Sequence, residues 1–161
     1  MKRSYFSTDV RDFLKLLAKY DVRYVIIGGV AVIYYGSVRL TGDIDFFYES
    51  SAENAAKMFS ILKEFWRGII PGIKKEEELI GENIVVQFGV PPNRIDLITT
   101  IEAVKFEEVW ENRLVEKITI DNEEYPVYFI SLEHLIKNKE SVNRNKDLED
   151  LKFLSKLNKG K

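Results

Sequence analysis

The stretch from Arg23 to Tyr48 constrains this chain more than any other. Arg23-Tyr-Val-Ile-Ile27 is apolar and rich in β-branched residues, as a buried strand requires. Gly28-Gly29 ends it, Val30 to Tyr35 reads as a short helix stopped by Gly36, and Asp43-Ile-Asp-Phe-Phe-Tyr48 reads as a second strand. A strand, a glycine turn, a helix and a second strand in direct succession open an α/β fold.

The flanking sequence fits the same class. Ser7-Thr8 starts a helix to about Tyr20, with Val10, Phe13, Leu14 and Leu17 at helical spacing. Ala52 to Trp66 is an amphipathic helix carrying Ala55, Phe59, Leu62 and Trp66 along one stripe. Gly68 to Glu82 mixes glycine, proline and charge and is expected to be a mobile loop, with Lys74-Lys75-Glu76-Glu77-Glu78 a solvated loop or helix start, or a flap over the site. Asn83 to Phe88 and Arg94 to Thr99 read as strands separated by Gly89-Val-Pro-Pro-Asn93, and Phe106 to Arg113 as a short helix. Leu114 to Ile120 and Tyr125 to Ile130 flank a hairpin signal at Asp121-Asn122-Glu123-Glu124. Ser131 caps a helix to about Glu140, and a last helix begins near Asn145 or Lys146 with Leu148, Leu151 and Leu154 expected on its inner face. The expected fold is α/β, a mixed central sheet flanked by helices, in one domain over residues 1–161 with closing helices at about 131–157.

Composition narrows the chemistry. The 161 residues are 45% apolar and 12% aromatic, enough to bury a core. There is no cysteine, which excludes disulfides, thiolate metal sites and cysteine nucleophiles, and one histidine, His134, which excludes multi-histidine metal sites. Any metal must be held mainly by carboxylates, and oxygen ligands favour Mg²⁺ or Mn²⁺. A formal charge of −2 argues against generic polyanion binding. Met1-Lys2-Arg3 leads into polar residues and not a leader-like apolar run, and Val22 to Gly36 is too short to span a bilayer. A cytoplasmic protein without membrane contact is the expectation. His134, Trp66 and Trp110 are expected to serve packing or the surface.

The chemistry concentrates on acids. On a strand, residues i and i+2 share a face, so the Asp43 and Asp45 carboxylates stand side by side, with Ile44 and Phe46 opposite. Two adjacent like charges repel, and a divalent cation reverses the sign of that interaction. Asp96 lies inside the apolar run Ile95-Asp-Leu-Ile98, where a carboxylate is costly unless it binds metal or pairs, and Arg94 is the available partner. Gly28-Gly29 allows close approach of backbone to a ligand, with helix N–H groups offered to phosphate. Arg39 and Thr41 just precede the acids, and Arg39 has the geometry to grip a phosphate.

The run Gly28-Gly29-Val-Ala-Val-Ile-Tyr-Tyr-Gly36-Ser-Val-Arg39-Leu-Thr41-Gly-Asp43-Ile-Asp45-Phe resembles the signature of the polymerase-beta-like nucleotidyltransferase superfamily. Its Arg-x-Thr-x-Asp-x-Asp form is similar to the small bacterial and archaeal members related to the abortive-infection toxins. Ser131-Leu-Glu-His-Leu-Ile and Lys139-x4-Arg144-x-Lys146-Asp147-Leu-Glu-Asp150-Leu resemble that family's closing helices. The resemblance covers about Arg23 to Leu154 and is weakest over residues 67–93. It implies the nucleotidyltransferase fold and transfer of NMP from an NTP to an acceptor hydroxyl on RNA, protein or a small molecule. It implies that Asp43, Asp45 and Asp96 hold Mg²⁺ or Mn²⁺, and that Gly28 and Gly29 hold phosphates. Lys139, Arg144 and Lys146 would contact the triphosphate or help close the site, with Asp147 and Asp150 orienting those cations. The second turn residue is often serine in the family, and here it is Gly29. The resemblance also raises a toxin-like role with an antitoxin-type partner. Alternatives are a nucleotide-binding regulator of the same fold without turnover, and a metal-dependent nuclease, against which the Gly-Gly turn argues.

Overall fold

The computed structural model describes residues 6–160; the Met1-Lys2-Arg3 start lies outside them. The chain runs α1 (Thr8–Lys19), β1 (Tyr24–Ile27), α2 (Gly28–Tyr34), β2 (Asp43–Tyr48), α3 (Ala52–Phe65), a 3-10 turn (Glu76–Leu79), β3 (Val85–Phe88), β4 (Arg94–Ile98), α4 (Phe106–Glu111), β5 (Leu114–Ile120), β6 (Glu123–Phe129), α5 (Leu132–Val142) and α6 (Asn145–Lys159). The strands form one six-stranded sheet in the order β3-β4-β2-β1-β6-β5. The sheet is mixed: β2 and β4 are parallel, as are β1 and β6, and the other neighbouring pairs are antiparallel. This is the expected α/β architecture of a nucleotidyltransferase.

Strand alternation splits the core between two layers. Tyr24, Ile26, Ile44, Phe46, Ile95 and Leu97 face a cluster that includes Phe13, Leu14 and Leu17 of α1 and Met58, Ile61 and Leu62 of α3. Val25, Ile27 and Phe47 face the other cluster, with Val109 of α4, Leu135 of α5 and Leu154 of α6. Each fully buried Phe or Leu in these layers contributes about 1.5–3 kcal/mol. Ser7, Ser51 and Ser131 each accept a hydrogen bond from the third residue on, fixing where α1, α3 and α5 begin. Buried Asn54 pins the end of the β1–β2 pair far from the site: it accepts from the Arg23 N–H at 2.8 Å and donates to the Arg23 and Glu49 carbonyls.

Three expectations need correction. Residues 68–82 are anchored and not a free loop: Ile70, Ile73 and Leu79 are buried, and the Tyr48 hydroxyl donates to the Leu79 carbonyl at 2.8 Å. The acidic run is no flap over the site, since it lines no part of the acidic cleft; it is the helix start that was its other expected form, a 3-10 turn whose Glu78 carboxylate accepts from the Lys74 and Lys75 N–H groups. On α6 the buried residues are Asp147, Asp150 and Leu154, whereas Leu148 is exposed. The hairpin turns on two residues only, Asp121 and Asn122, both with positive φ, as a two-residue turn of matching twist requires. Among the described residues no helix is long and apolar enough to cross a membrane.

Candidate active site

The acids meet because of register. β2 and β4 run parallel with Asp43 opposite Arg94 and Asp45 opposite Asp96. Ile44, Phe46, Ile95 and Leu97 are taken by the core on one face, so the alternate residues Asp43, Asp45, Arg94 and Asp96 all stand on the other. Asp43, Asp45 and Asp96 each offer a carboxylate oxygen, and these oxygens lie within 4.8 Å of one another. Asp96 is buried; Asp43 and Asp45 are partly covered.

Crowding shows in the titration of Asp45. Burial, then the charges of Asp43 and Asp96 and a hydrogen bond to Asp96, push its carboxyl from 3.8 up to about 7, with Arg94 opposing. Three hard oxygen donors that repel one another fit a divalent cation such as Mg²⁺. No other group of acids or histidine among the described residues has this arrangement. His134 is elsewhere, with its Nδ1 3.1 Å from the Ser131 hydroxyl at the start of α5.

Arg94 realises the pairing considered for Asp96. Its Nε donates to Asp96 Oδ1 at 2.9 Å, and one Nη donates to Asp96 Oδ2 at 3.1 Å and to Asp43 Oδ2 at 2.7 Å. The Gln87 amide adds a bond to Asp96 at 3.3 Å. Gln87 had no motif to mark it; its place follows from the β3–β4 register, which sets it opposite Asp96.

The glycine turn is fitted to these acids. Ile27 pairs with Asp45, so Gly28 opens α2 directly beside the Asp45 carboxylate. Its φ of +67° and the lack of room for a Cβ both require glycine. A Cβ on Gly29 would come 2.9 Å from the Thr41 hydroxyl, which donates to Asp43 Oδ1 at 3.1 Å. Thr41 therefore occupies the space that a serine side chain at this turn would need.

Cations also line the cleft, but most of their charge is committed. Lys139 is buried, its ammonium 3.0 Å from both Asp147 and Asp150. Asp150 also pairs with Arg39, tying α6 to the segment that leads into β2. Arg144 Nε donates to Asp147 at 2.7 Å, with the rest of the side chain largely exposed. Lys146 is exposed and makes no ion pair among the described residues. Gly28, Gly29, Arg39, Thr41, the three acids, Lys139, Arg144 and Lys146 thus line one cleft of about 450 Å³. Asn83, Thr100, Glu102 and Asn138 also line it and were not marked by any pattern in the sequence.

A glycine turn at the end of one strand, paired acids on the next and a third acid on a parallel neighbour form the arrangement that the sequence resemblance implied. The comparison with known families agrees: residues 8–157 match the profile of a family described as "nucleotidyltransferase of unknown function (DUF6036)". The chain belongs to that family. No curated protein matches it.

Proposed function

We propose that this protein transfers an NMP from an NTP to an acceptor hydroxyl, with Asp43, Asp45 and Asp96 as its metal-binding acids. The observation that carries the reading is the convergence of these three carboxylates, within 4.8 Å, on the cleft that also holds the glycine turn. The acceptor hydroxyl gives up its proton to solvent and its oxygen forms a bond to the α-phosphorus as the bond to the bridging oxygen breaks, and pyrophosphate leaves with that electron pair. Divalent ions bound by the three acids would offset phosphate charge and lower the pKa of the attacking hydroxyl.

The chain's own groups do the positioning. Gly28 and Gly29 leave backbone open to the phosphates, and Lys146 with the exposed part of Arg144 supplies positive charge in the same cleft. Lys139 and Arg39, held by Asp147 and Asp150, fix α6 against the cleft. Thr41 orients the Asp43 carboxylate. A toxin-like role and a cognate partner rest on the resemblance of the Arg39-to-Asp45 run, as does the range of acceptors: RNA, protein or small molecule.

The test is label transfer. Purified protein is incubated with each α-labelled NTP, Mg²⁺ and separate RNA and protein extracts, beside the Asp43→Asn/Asp45→Asn double variant. Label entering a macromolecule with wild type alone supports the reading and gives both nucleotide and acceptor class. Binding of NTP without any transfer favours a regulator of the same fold, and shortened RNA in place of labelled product favours a nuclease.

A further inference from the structure

We propose that Arg94 is an internal counter-ion of the acidic site that must withdraw for a divalent cation to enter, so that it sets the protein's metal affinity. This rests on the metal-binding reading of the three acids and goes beyond it. One Nη of Arg94 bonds Asp43 and Asp96 at once, at 2.7 and 3.1 Å, and so stands between two of the carboxylates that a cation would draw together. With Nε also on Asp96, both oxygens of that buried acid accept from the same guanidinium. An ion at about 2.0–2.1 Å from those oxygens would be in close repulsion with the guanidinium.

The surroundings suit a group that moves. The Arg94 side chain is 32% exposed, so its charge can turn into the open cleft without being stranded in the core. Asp96 keeps the uncharged bond from Gln87 when the arginine leaves. Thr41 likewise keeps its bond to the other oxygen of Asp43. Asp45 receives no hydrogen bond from Arg94, so the guanidinium holds two of the three acids and not the third. Arg94 is in these terms a positioning residue, since it acts through Asp43 and Asp96.

The experiment is a Mn²⁺ titration of the chelator-stripped 161-residue chain, read by the electron paramagnetic resonance of free Mn²⁺, on wild type and Arg94→Met. The variant should bind more tightly, on the order of tenfold, a usual size for coupling between linked ligands. Its melting temperature should fall below wild type in chelator and recover at saturating Mn²⁺. Unchanged or weaker binding by the variant would overturn the proposal while leaving the acids as the metal site. No binding by either protein would remove the metal-site reading along with it. A second measurement needs no substitution and covers a variant that fails to fold. The Nε–H NMR signal of Arg94 in wild type should be shielded from solvent exchange in chelator and exchange faster when Mg²⁺ is added; continued shielding at saturating Mg²⁺ overturns the proposal.

Discussion

Gly28 and Asp45 face each other across the β1–β2 pair so closely that any side chain at Gly28 would overlap the Asp45 carboxylate. The glycine is thus part of the acidic site as much as of the turn. Gly28→Ala carries two penalties. A non-glycine residue at φ +67° costs about 1–2 kcal/mol, and the displaced carboxylate lowers transfer by about a hundredfold, the usual effect of misplacing a reacting group by an ångström. Gly72 separates the two effects, because its φ is +76° and nothing lies within 4 Å of where a Cβ would stand. Gly72→Ala should lose similar stability by urea denaturation and transfer label as wild type does. Equal transfer by Gly28→Ala and wild type would remove the turn from the site.

The crowding of Asp45 makes stability depend on pH in a definite direction. Burial, and then Asp43 and Asp96, raise its carboxyl from 3.8 to about 7. Between those values the folded protein keeps a proton that the unfolded chain has released, so stability falls as pH rises through that window. In chelator, the melting temperature of wild type should decline from about pH 4 to pH 7, and Asp45→Asn should flatten the decline. Each kcal/mol is worth about 2–4 °C in a chain of this size. At pH 8, Mg²⁺ with NTP should raise the melting point of wild type and leave Asp45→Asn little changed, with transfer abolished in the variant. A flat wild-type profile in chelator would show that the carboxylates do not crowd one another.

How the site was legible in the sequence depended on local geometry. Asp43 and Asp45 were readable because two-residue spacing on a strand fixes their common face. Asp96 stood out as a charge in an apolar strand. Gln87 was not readable, because its approach to Asp96 is set by pairing between β3 and β4, which no spacing records. The inner face of α6 was misread for a related reason. Counting leucines assumes that a helix buries apolar residues, but the start of α6 meets Lys139 of α5 and Arg39 of the loop before β2, so it buries Asp147 and Asp150 instead. In residues 68–82 the three anchoring apolar residues Ile70, Ile73 and Leu79 are too sparse to produce a period, although each is buried.

Asp147 has no exposed surface and accepts from both Lys139 and Arg144. Burial alone would push its carboxyl up, but the bonds and charges of Arg144 and Lys139 outweigh this and hold it at about 2, below the ordinary 3.8. A depressed carboxyl adds stability that is present above about pH 4 and lost as pH falls towards 2. Asp147→Ala strips a buried cation of one partner and should cost about 3–5 kcal/mol at pH 7. Urea denaturation should show the gap between variant and wild type narrowing towards pH 2. A gap independent of pH would mean that the loss comes from packing and not from the charges.

Lys146 offers the opposite case, an exposed cation on the cleft wall with no ion pair among the described residues. Nothing in the fold depends on it, so Lys146→Ala should leave stability within about 0.5 kcal/mol. If its ammonium meets the triphosphate equally in the ground and transition states, its loss raises KM for the NTP and spares kcat. One charge-assisted contact at an exposed position is worth about 1 kcal/mol, or roughly a fivefold rise in KM. Lys139→Ala should behave differently, losing stability first, because its buried ammonium is already held by Asp147 and Asp150. An unchanged KM in Lys146→Ala would take this lysine out of nucleotide binding. A fall in kcat at constant KM would instead place its charge on the phosphates only as the leaving group departs.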